Sequence, residues 1–446
     1  MEENTREFLN RRLGLFPITN IVIANMIGAG IFTTSGLLMA DLKDPMLMLL
    51  LWLIGGIIAL AGALCYGEIG ASIPKAGGEY AFLSKLFSHK LGFLSGWVSF
   101  VVGFSAPIAA SSIGFSEYLY RAVPVIFEFS WIGPEGMKKI YSILIIVIFT
   151  MVHLRGVEFG AKVQNYLTFL KVLLVVGLVL FGFFLGSGDL ENLSISKEVK
   201  EIPVSWKTMG LSLMWIMFAF SGWNASVYIG SEIKRPERNI PLSLLVGTGI
   251  VSLLYLLINL LYIYAVPPKE MEGVIAIGGL AIGKLFGPDY ESFFSLLVAF
   301  ALFSSISAFI ILGPRVYFAM AADGHFFKFA SKVHPKYQVP AYSIIFQGII
   351  SVIIILSGTF DQILTYMGFS LGIFPIITVF GIFKLRREKL NKLRLPGYPL
   401  TPILYIVAGI MMLFLSFLER PMESSIAILT ILAGLPAYYL FGMQKK

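Results

Sequence analysis

Long apolar segments separated by short polar segments dominate the chain. A helix needs about 20 apolar residues to cross a bilayer, and that requirement divides the chain into twelve spans. The third and the eighth are long enough to be strongly tilted or to extend beyond the bilayer. The pattern therefore predicts an all-α membrane protein with twelve transmembrane helices. The approximate bounds of these spans are 14–38, 46–70, 80–119, 139–154, 160–186, 207–231, 241–266, 290–321, 341–357, 361–385, 400–418 and 423–441.

Two of the predicted spans are interrupted near their middle. In the first span, Gly28 and Gly30 flank a single alanine, and glycines so placed weaken a helix and allow a ligand to approach the backbone closely. In the sixth span, Ser221 and Gly222 break the apolar run and are followed by the polar Asn224. Close packing between helices is the commoner use of such small residues. Two matching interruptions favour instead a binding site near the membrane midplane.

The interruptions stand in the first and the sixth span, so they occupy matching positions in two halves of five spans each. An odd number of spans in each half forces the two halves into opposite orientations. The pattern therefore predicts a 5+5 inverted repeat with discontinuous helices 1 and 6. Many secondary transporters hold small ionic substrates in this way.

Composition and charge support the membrane assignment and give it a direction. The chain is 57% hydrophobic and 13% charged, whereas soluble proteins carry about 25% charged residues. If the N-terminus lies inside, the inner segments hold 23 of the 34 Lys and Arg residues and the outer segments hold ten. The positive-inside rule then places both termini in the cytoplasm. We expect the protein in the plasma (inner) membrane. The net charge of +8 is spread over the loops and does not suggest nucleic-acid binding.

Several chemistries are excluded by the residues that are missing. Cys65 is the single cysteine and lies in an apolar run, so no intrachain disulfide is possible. The four histidines show no metal-ligand spacing, and we expect neither a metal nor a cofactor. The spans contain no Ser/His/Asp set and no phosphate-binding loop, so we predict that the chain is not an enzyme.

Five short signatures occur in order along most of the chain. With them the chain resembles the amino acid–polyamine–organocation family of amino acid transporters, close to its sodium-independent permease and exchanger branch. The signatures are Gly28-Ala-Gly-Ile-Phe32 in span one, Tyr66-Gly-Glu-Ile69 with Pro74-Lys-Ala-Gly-Gly-Glu-Tyr80 after span two, Phe218-Ala-Phe-Ser-Gly-Trp-Asn224 in span six, Glu232-Ile-Lys-Arg-Pro-Glu-Arg-Asn-Ile-Pro241 after it, and Ala321-Ala-Asp-Gly324 with His334-Pro335 and Pro340 after span eight.

The resemblance implies the LeuT-type fold, with spans eleven and twelve outside the repeat. On this basis the chain divides into five parts. They are a cytoplasmic tail (1–12), the first repeat with spans one to five (13–186), an extracellular loop (187–206), the second repeat with spans six to ten (207–385), and spans eleven and twelve with the cytoplasmic C-terminus (386–446).

Backbone groups at the two breaks suit an α-amino acid, which presents a carboxylate and an ammonium group at a fixed separation. Free N–H groups at a helix N-terminus bind a carboxylate with help from the helix dipole, and free carbonyls bind the ammonium. Neither break contains Asp or Glu, which fits binding without a side-chain ion pair. The resemblance implies the amides of Gly28, Ala29, Gly30 and Ile31 for the carboxylate, and the carbonyls of Met26, Phe218, Ala219 and Ser221 for the ammonium.

Two side chains near the breaks match family positions, and a third residue, in span eight, is a further candidate for the site. Phe218 matches an aromatic gate that covers the substrate from outside, although an ordinary core aromatic is the alternative. Asn224 matches a polar residue near the site, or else makes a hydrogen bond between helices. Phe309 of span eight is a candidate for the side-chain pocket.

Four charged residues stand at helix ends on the predicted inner side. Solvated caps and loop pairs are the ordinary interpretation of such residues. Their motif positions suggest an alternative, in which they brace an inner gate. The four are Glu68, Glu79, Glu232 and Arg238.

Lys171 lies within the fifth span, about 16 Å along the helix from its predicted start. A lysine at mid-bilayer costs about 2.5–3.5 kcal/mol on insertion scales and usually marks an ion or proton pathway. Snorkelling to the interface is the alternative, and the depth makes it awkward. The resemblance implies that its ammonium replaces the sodium ion that ties span one to span eight in related transporters. Its candidate partners in span eight are Ser304, Ser305 and Ser307.

We therefore predict a secondary active transporter of α-amino acids, neutral ones above all, working by alternating access without sodium as a proton-coupled symporter or an exchanger. A carrier of cationic amino acids or polyamines is an alternative, but it would need acidic groups in the pocket. The acids of spans one, three, six and eight are Glu117 and Glu291, and both stand near an outer end. A non-transporting amino acid sensor is another alternative. The outer loops contain no cysteine, so we expect a monomer or homodimer in the bilayer and no disulfide-linked subunit.

Overall fold

The computed structural model describes residues 11, 13–75, 77–128, 131–155, 157–194, 204–332, 334–337 and 339–443. Most of the predicted tail, the middle of the predicted extracellular loop and the last three residues of the C-terminal part lie outside these described residues. Within them the regular secondary structure is helical, apart from one isolated bridge between Leu13 and Ile233. The prediction of an all-α chain is confirmed.

The described residues form helices that we number in chain order. The helices are α1 (Leu15–Met26), α2 (Ala29–Leu42), α3 (Pro45–Ser72), α4 (Glu79–Leu86), α5 (His89–Val98), α6 (Ser105–Ala122), α7 (Gly133–Leu154), α8 (Val157–Leu185), α9 (Trp206–Ala219), α10 (Pro236–Ala265), α11 (Pro268–Met271), α12 (Ile277–Phe286), α13 (Pro288–Ala322), α14 (Ala341–Ser357), α15 (Phe360–Arg387), α16 (Leu400–Glu419) and α17 (Pro421–Met443).

Among the described residues, ten helical segments are long and apolar enough to cross a membrane. The predicted sixth and ninth spans are not among them, since α9 has 14 residues and α14 has 17. A helix of 14 residues is about 21 Å long, less than the ~30 Å apolar thickness of a bilayer. Large apolar side chains such as Phe184, Phe414 and Leu429 are exposed on the outer helices. The chain is therefore a multi-pass membrane protein, and the count of twelve spans stays a prediction.

The first predicted span is interrupted where its two glycines stand. α1 ends at Met26, and Ile27 leaves the helical region with ψ 86°. Gly28 is extended, with φ −122° and ψ −157°, and α2 begins at Ala29. The first N–H groups of α2, like those of any α-helix, have no partner within the helix. No side chain caps this N-terminus either.

The sixth predicted span is a short α-helix followed by an irregular half. α9 ends at Ala219, and Gly222 has a φ of +96°, in the left-handed region that favours glycine. Two 3-10 turns, Ala225–Tyr228 and Gly230–Glu232, then lead to α10. The predicted interruption is present, but the half that follows it is not a continuous α-helix.

Connecting segments from distant parts of the chain meet on the face where α1 begins, which we call the N-terminal face. Leu13 N donates to the carbonyl of Glu232 (3.0 Å), and Gly77 N donates to the carbonyl of Tyr228 (3.1 Å). The irregular half of the sixth span is thus held on this face by the chain that precedes α1 and by the segment between α3 and α4. α2 ends on the opposite face, at Leu42.

Candidate functional site at the two helix breaks

The two breaks lie directly against each other. A Cβ atom added to Gly30 would collide with the Cα and Cβ atoms of Ala219. A Cβ atom added to Gly222 would lie 2.8 Å from the carbonyl carbon of Asn25. The absence of side chains at both glycines is therefore what lets the broken spans touch, and the structure brings the two predicted halves of the site together.

Tyr255 of α10 joins the two breaks, and its side chain is fully buried. Its hydroxyl lies 2.5 Å from the carbonyl oxygen of Met26 and 2.9 Å from that of Ala219. A hydroxyl has one proton, so the two carbonyls share one donor. Both carbonyls are among those predicted to bind a substrate ammonium, which would compete with Tyr255 for them.

Sequence reasoning missed Tyr255 because it lies in an unbroken apolar helix. A signal was present, since Tyr255, Asn259 and Tyr262 follow each other at the spacing of one helix face. All three are fully buried. Asn259 accepts a hydrogen bond from Ser35 (2.6 Å), and Tyr262 donates to the carbonyl of Ile31 (3.4 Å). This polar stripe of α10 therefore follows the first span on both sides of its break.

Tyr255→Phe is expected to lower the stability of the substrate-free protein by about 1–3 kcal/mol, because two buried carbonyls lose their donor. Added amino acid should recover part of this loss, since its ammonium would replace the hydroxyl. Thermal unfolding in detergent with and without amino acid measures both effects. The control is Tyr262→Phe, which removes one longer hydrogen bond; equal losses in the two variants would contradict the role of Tyr255.

A cavity of about 140 Å³ adjoins the breaks. Phe218, Ser221, Asn224 and Phe309 line it, so four of the predicted substrate-site residues face this space. The other substrate-site residues lie outside its lining, behind the contact between the two breaks. They are Met26, Gly28, Ala29, Gly30, Ile31 and Ala219.

Most of the cavity wall is apolar, and methionines contribute much of it, including Met214, Met217 and Met367. Their flexible thioethers adapt to ligands of different shape. The third predicted span contributes the π-helical turn Ser99–Gly103. Such turns occur frequently at functional sites.

On the opposite face, hydrogen bonds join α2 to α6 and to the segment that contains α12. The hydroxyl of Tyr118 donates to the carbonyl of Phe32 (2.6 Å) and accepts a hydrogen bond from Gly278 N (3.0 Å). Gly273 N donates to the carbonyl of Gly36 (2.8 Å). The segment that contains α12 is thus fastened over α2. The cavity lining, in contrast, includes Glu79 and Tyr228, which lie near the N-terminal face.

Lys171 is fully buried between three helices. Its Nζ donates to the carbonyl of Ala24 in α1 (2.8 Å) and lies 3.4 Å from the hydroxyl of Ser305 in α13. The ammonium thus links α8 to the helix before the first break and to α13. This placement leaves no room for snorkelling, because Nζ points into the helix bundle.

The three candidate serines of α13 take different partners. Ser305 contacts Lys171, Ser304 lies 3.2 Å from the hydroxyl of Thr168, and Ser307 lies 2.9 Å from Nε2 of His153. Of the three, Ser305 is the one with a hydrogen bond to Lys171 in the described structure. The roles of Ser304 and Ser307 in holding the lysine stay predictions.

Two of the predicted inner-gate acids are buried near the N-terminal face in different surroundings. Glu68 forms a bidentate ion pair with Arg386 (2.6 and 2.5 Å) and accepts a hydrogen bond from Leu395 N (2.9 Å). Glu79 accepts hydrogen bonds from neutral groups and lines the cavity. Glu232 is half-buried, and burial raises the pKa of its carboxyl. Arg238 is exposed.

Comparison with known proteins identifies the family of this chain. Residues 13–436 match the family model for amino acid permeases. The chain belongs to this family. The assignment confirms the resemblance to the amino acid–polyamine–organocation transporters and agrees with a protein that is not an enzyme.

Members of the family are similar to this chain over nearly its whole length. The serine/threonine exchanger SteT of Bacillus subtilis (strain 168) is 29% identical over 98% of both chains. The b(0,+)-type amino acid transporter 1 of Mus musculus is 29% identical over 98% of this chain and 89% of its own. The large neutral amino acids transporter small subunit 2 of Homo sapiens is 26% identical over 97% of this chain and 80% of its own. These relatives are transporters and exchangers of amino acids.

Proposed function

We propose that the protein is a sodium-independent secondary transporter of neutral α-amino acids that works by alternating access. The observation that carries this proposal is the meeting of the two broken helices beside a cavity with an apolar wall. Ends of broken helices supply charge-binding backbone groups, and the apolar wall suits uncharged side chains. The relatives in the family, which include an exchanger, support exchange as the mode of transport.

The substrate binds where the breaks now touch. The amides of Gly28, Ala29, Gly30 and Ile31 hold its carboxylate, and the carbonyls of Met26, Phe218, Ala219 and Ser221 receive its ammonium. The contact between Gly30 and Ala219 must open for this, and the ammonium must replace the hydroxyl of Tyr255. The apolar cavity then receives the side chain.

The twelve helical segments form a 5+5 inverted repeat with α16 and α17 outside it, in the plasma membrane. With the N-terminal face in the cytoplasm, the cavity lies on the cytoplasmic side and the opposite face lies outside. The cycle then alternates between this arrangement and one in which Tyr118 releases the segment that contains α12.

Sodium independence rests on Lys171. Its ammonium contacts the carbonyl of Ala24 and the hydroxyl of Ser305, which are the kinds of oxygen that a sodium ion would need. The Lys171 side chain thus links the same two helices without an ion.

The preference for neutral side chains rests on the engagement of Glu79, the acid of the described cavity lining. Sequence reasoning did not place Glu79 in the pocket. Its two oxygens accept three hydrogen bonds from protein groups, so the carboxylate is occupied. Cys65 is buried and free, which supports transport without a disulfide-linked subunit, as a monomer or a homodimer.

A counterflow screen of the twenty amino acids in proteoliposomes tests the proposal, with and without sodium and with and without a pH gradient. We expect uptake of a set of neutral amino acids that is unchanged when sodium is replaced by choline. Preferred uptake of lysine, arginine or polyamines would support the cationic alternative. Binding of an amino acid without any flux would support a sensor.

Phe218→Ala is expected to slow transport far more than it weakens binding. Phe218 lies at the end of α9, lines the cavity and is nearly buried, so its ring can close over a bound substrate. Removing a gate impairs occlusion and the rate of access change, whereas the carbonyl of residue 218 remains.

Phe309→Ala is the matched comparison, because Phe309 lines the same cavity from α13. As a wall residue it should raise KM and leave the maximal rate largely unchanged. Counterflow rates and equilibrium binding of labelled substrate separate the two effects. A large loss of affinity at normal turnover in Phe218→Ala would make Phe218 a wall residue as well.

A further inference from the structure

Glu79 is a buried carboxylate at the end of the cavity nearest the N-terminal face. The side chain belongs to the first residue of α4, and the residue is 5% exposed. Its Oε1 accepts hydrogen bonds from the hydroxyl of Tyr66 (2.9 Å) and from Nδ2 of Asn224 (2.6 Å). Its Oε2 accepts one from the hydroxyl of Tyr228 (2.5 Å). One carboxylate thus joins α3 to the irregular half of the sixth span.

The three donors to Glu79 are all neutral. Among the described residues no ion pair includes Glu79, whereas Glu68 on the same side of the molecule is paired with Arg386. A buried carboxylate without a cation is costly and binds a proton readily. Burial accordingly raises the pKa of the Glu79 carboxyl.

The titratable groups that face Glu79 are tyrosines. Tyr66 comes from α3, Tyr228 from the first 3-10 turn, and Tyr405 from α16. None of them carries a positive charge that would hold the carboxylate in its ionised form. Glu79 is therefore the group of this cluster that we expect to gain or lose a proton.

The segment before Glu79 packs closely against the irregular half of the sixth span. Gly77 N donates to the carbonyl of Tyr228, and Gly78 has a φ of +53°. A Cβ atom on Gly78 would collide with the Tyr228 ring. Tyr66, which donates to Glu79, also packs against Trp223, with the two ring centroids 4.7 Å apart. Breaking the hydrogen bonds of Glu79 would therefore loosen one part of the cavity wall, because Glu79, Asn224 and Tyr228 all line the cavity.

We propose that Glu79 is a proton-controlled latch of the substrate cavity. The ionised carboxylate holds Asn224 and Tyr228 against Tyr66, and uptake of a proton from water releases them and opens the cavity toward the N-terminal face. A protonated carboxyl is itself a donor on one oxygen, so it cannot satisfy all three of the present donors. The latch is closed above the pKa of the carboxyl and opens as the pH falls through it. This inference rests on the proposed function, since it describes how the same site opens.

The test measures how fast a cysteine in the cavity wall is labelled. Ser95 lines the cavity and is 4% exposed, so Ser95→Cys in a Cys65→Ser background reacts with a water-soluble maleimide only when the cavity opens. Rates are measured between pH 5 and 8 in detergent and are compared with those of the same reporter carrying Glu79→Gln. The ratio at each pH removes the pH dependence of the thiol reaction itself.

We expect the ratio of the reporter's labelling rate to that of the Glu79→Gln variant to rise towards one as the pH falls through the pKa of Glu79, because the glutamine keeps the latch open at every pH. Glu79→Asp, which keeps the charge, should keep the pH dependence. Tyr228→Phe removes a donor to the ionised form, so the midpoint should move to higher pH. Glu237→Gln, a half-exposed acid on the N-terminal face, serves as the control and should behave like the reporter alone.

The same pH dependence in Glu79→Gln and in the reporter would overturn the latch. If Glu79→Gln fails to fold, an unchanged midpoint in Tyr228→Phe overturns it. Counterflow of amino acids by the same variants keeps the two proposals apart. Exchange with an unaltered labelling profile removes only the latch, whereas pH-dependent labelling without binding or exchange of any amino acid removes only the proposed function.

Discussion

Gly30→Leu is expected to abolish amino acid binding and transport while the protein stays folded in detergent. Even a single added carbon at this position would collide with the backbone and side chain of Ala219, so a leucine forces the two breaks apart. Leucine also favours a continuous helix, which would consume the amide groups proposed for the substrate carboxylate. Equilibrium binding and counterflow of labelled substrate measure the loss, and size-exclusion profiles verify folding.

Two matched variants distinguish this site from a general intolerance of side chains. A Cβ on Gly28 would meet the hydroxyl of Ser305 at 3.5 Å, an ordinary contact, so Gly28→Ala should be far milder than Gly30→Ala. A Cβ on Gly249 of α10 would meet nothing within 4 Å, so Gly249→Leu should transport normally. Near-normal transport by Gly30→Leu would contradict a substrate site at the broken helices.

The breaks were predictable because their causes are local. Gly28 and Gly30 interrupt an apolar run, as do Ser221 and Gly222, and glycine weakens a helix wherever it stands. Lys171 was equally visible, since a charge within an apolar span has few explanations. In these places the sequence pattern alone pointed to the residues that meet in the structure.

The partners of these residues could not be read from the sequence. Tyr255 lies 229 residues from Met26, and Glu79 lies 145 residues from Asn224. Which distant groups pair depends on how the helices pack, and an apolar pattern counts a tyrosine in α10 as one more apolar residue. Glu79 stands just before the predicted third span, so the pattern of spans did not place it in the pocket. The segment before α4 brings it into the cavity wall.

The short helices show a second limit of the pattern. Hydropathy counts apolar residues and cannot tell an α-helix from 3-10 turns, so the stretch after Gly222 was assigned to one continuous span. In the structure Ser243 donates to the hydroxyl oxygen of Ser226 (3.0 Å), and Asn224 bonds Glu79. Tertiary hydrogen bonds to side chains thus hold this half in a tighter, irregular form that its own propensity does not specify.

Lys171→Ala is expected to reduce uptake to near background without preventing membrane insertion. The carbonyl of Ala24 loses the donor that lies 2.8 Å away, and leaving a buried acceptor without its partner costs about 1–3 kcal/mol. The larger effect is on the cycle, because the ammonium joins α8 to the helix before the first break and to α13. Without this side chain, no Lys171 contact links the helix before the first break to α13 when the substrate arrives.

Two comparisons make the Lys171 prediction specific. Ser305→Ala removes the longer of the two contacts and should lower uptake only in part, whereas Lys171→Arg keeps the charge and should retain more activity than Lys171→Ala. Uptake into proteoliposomes is measured in sodium chloride and in choline chloride, since a fixed ammonium in place of an ion makes the wild-type rate equal in both salts. Unchanged uptake in Lys171→Ala, or strict sodium dependence of the wild type, would refute the role of the lysine.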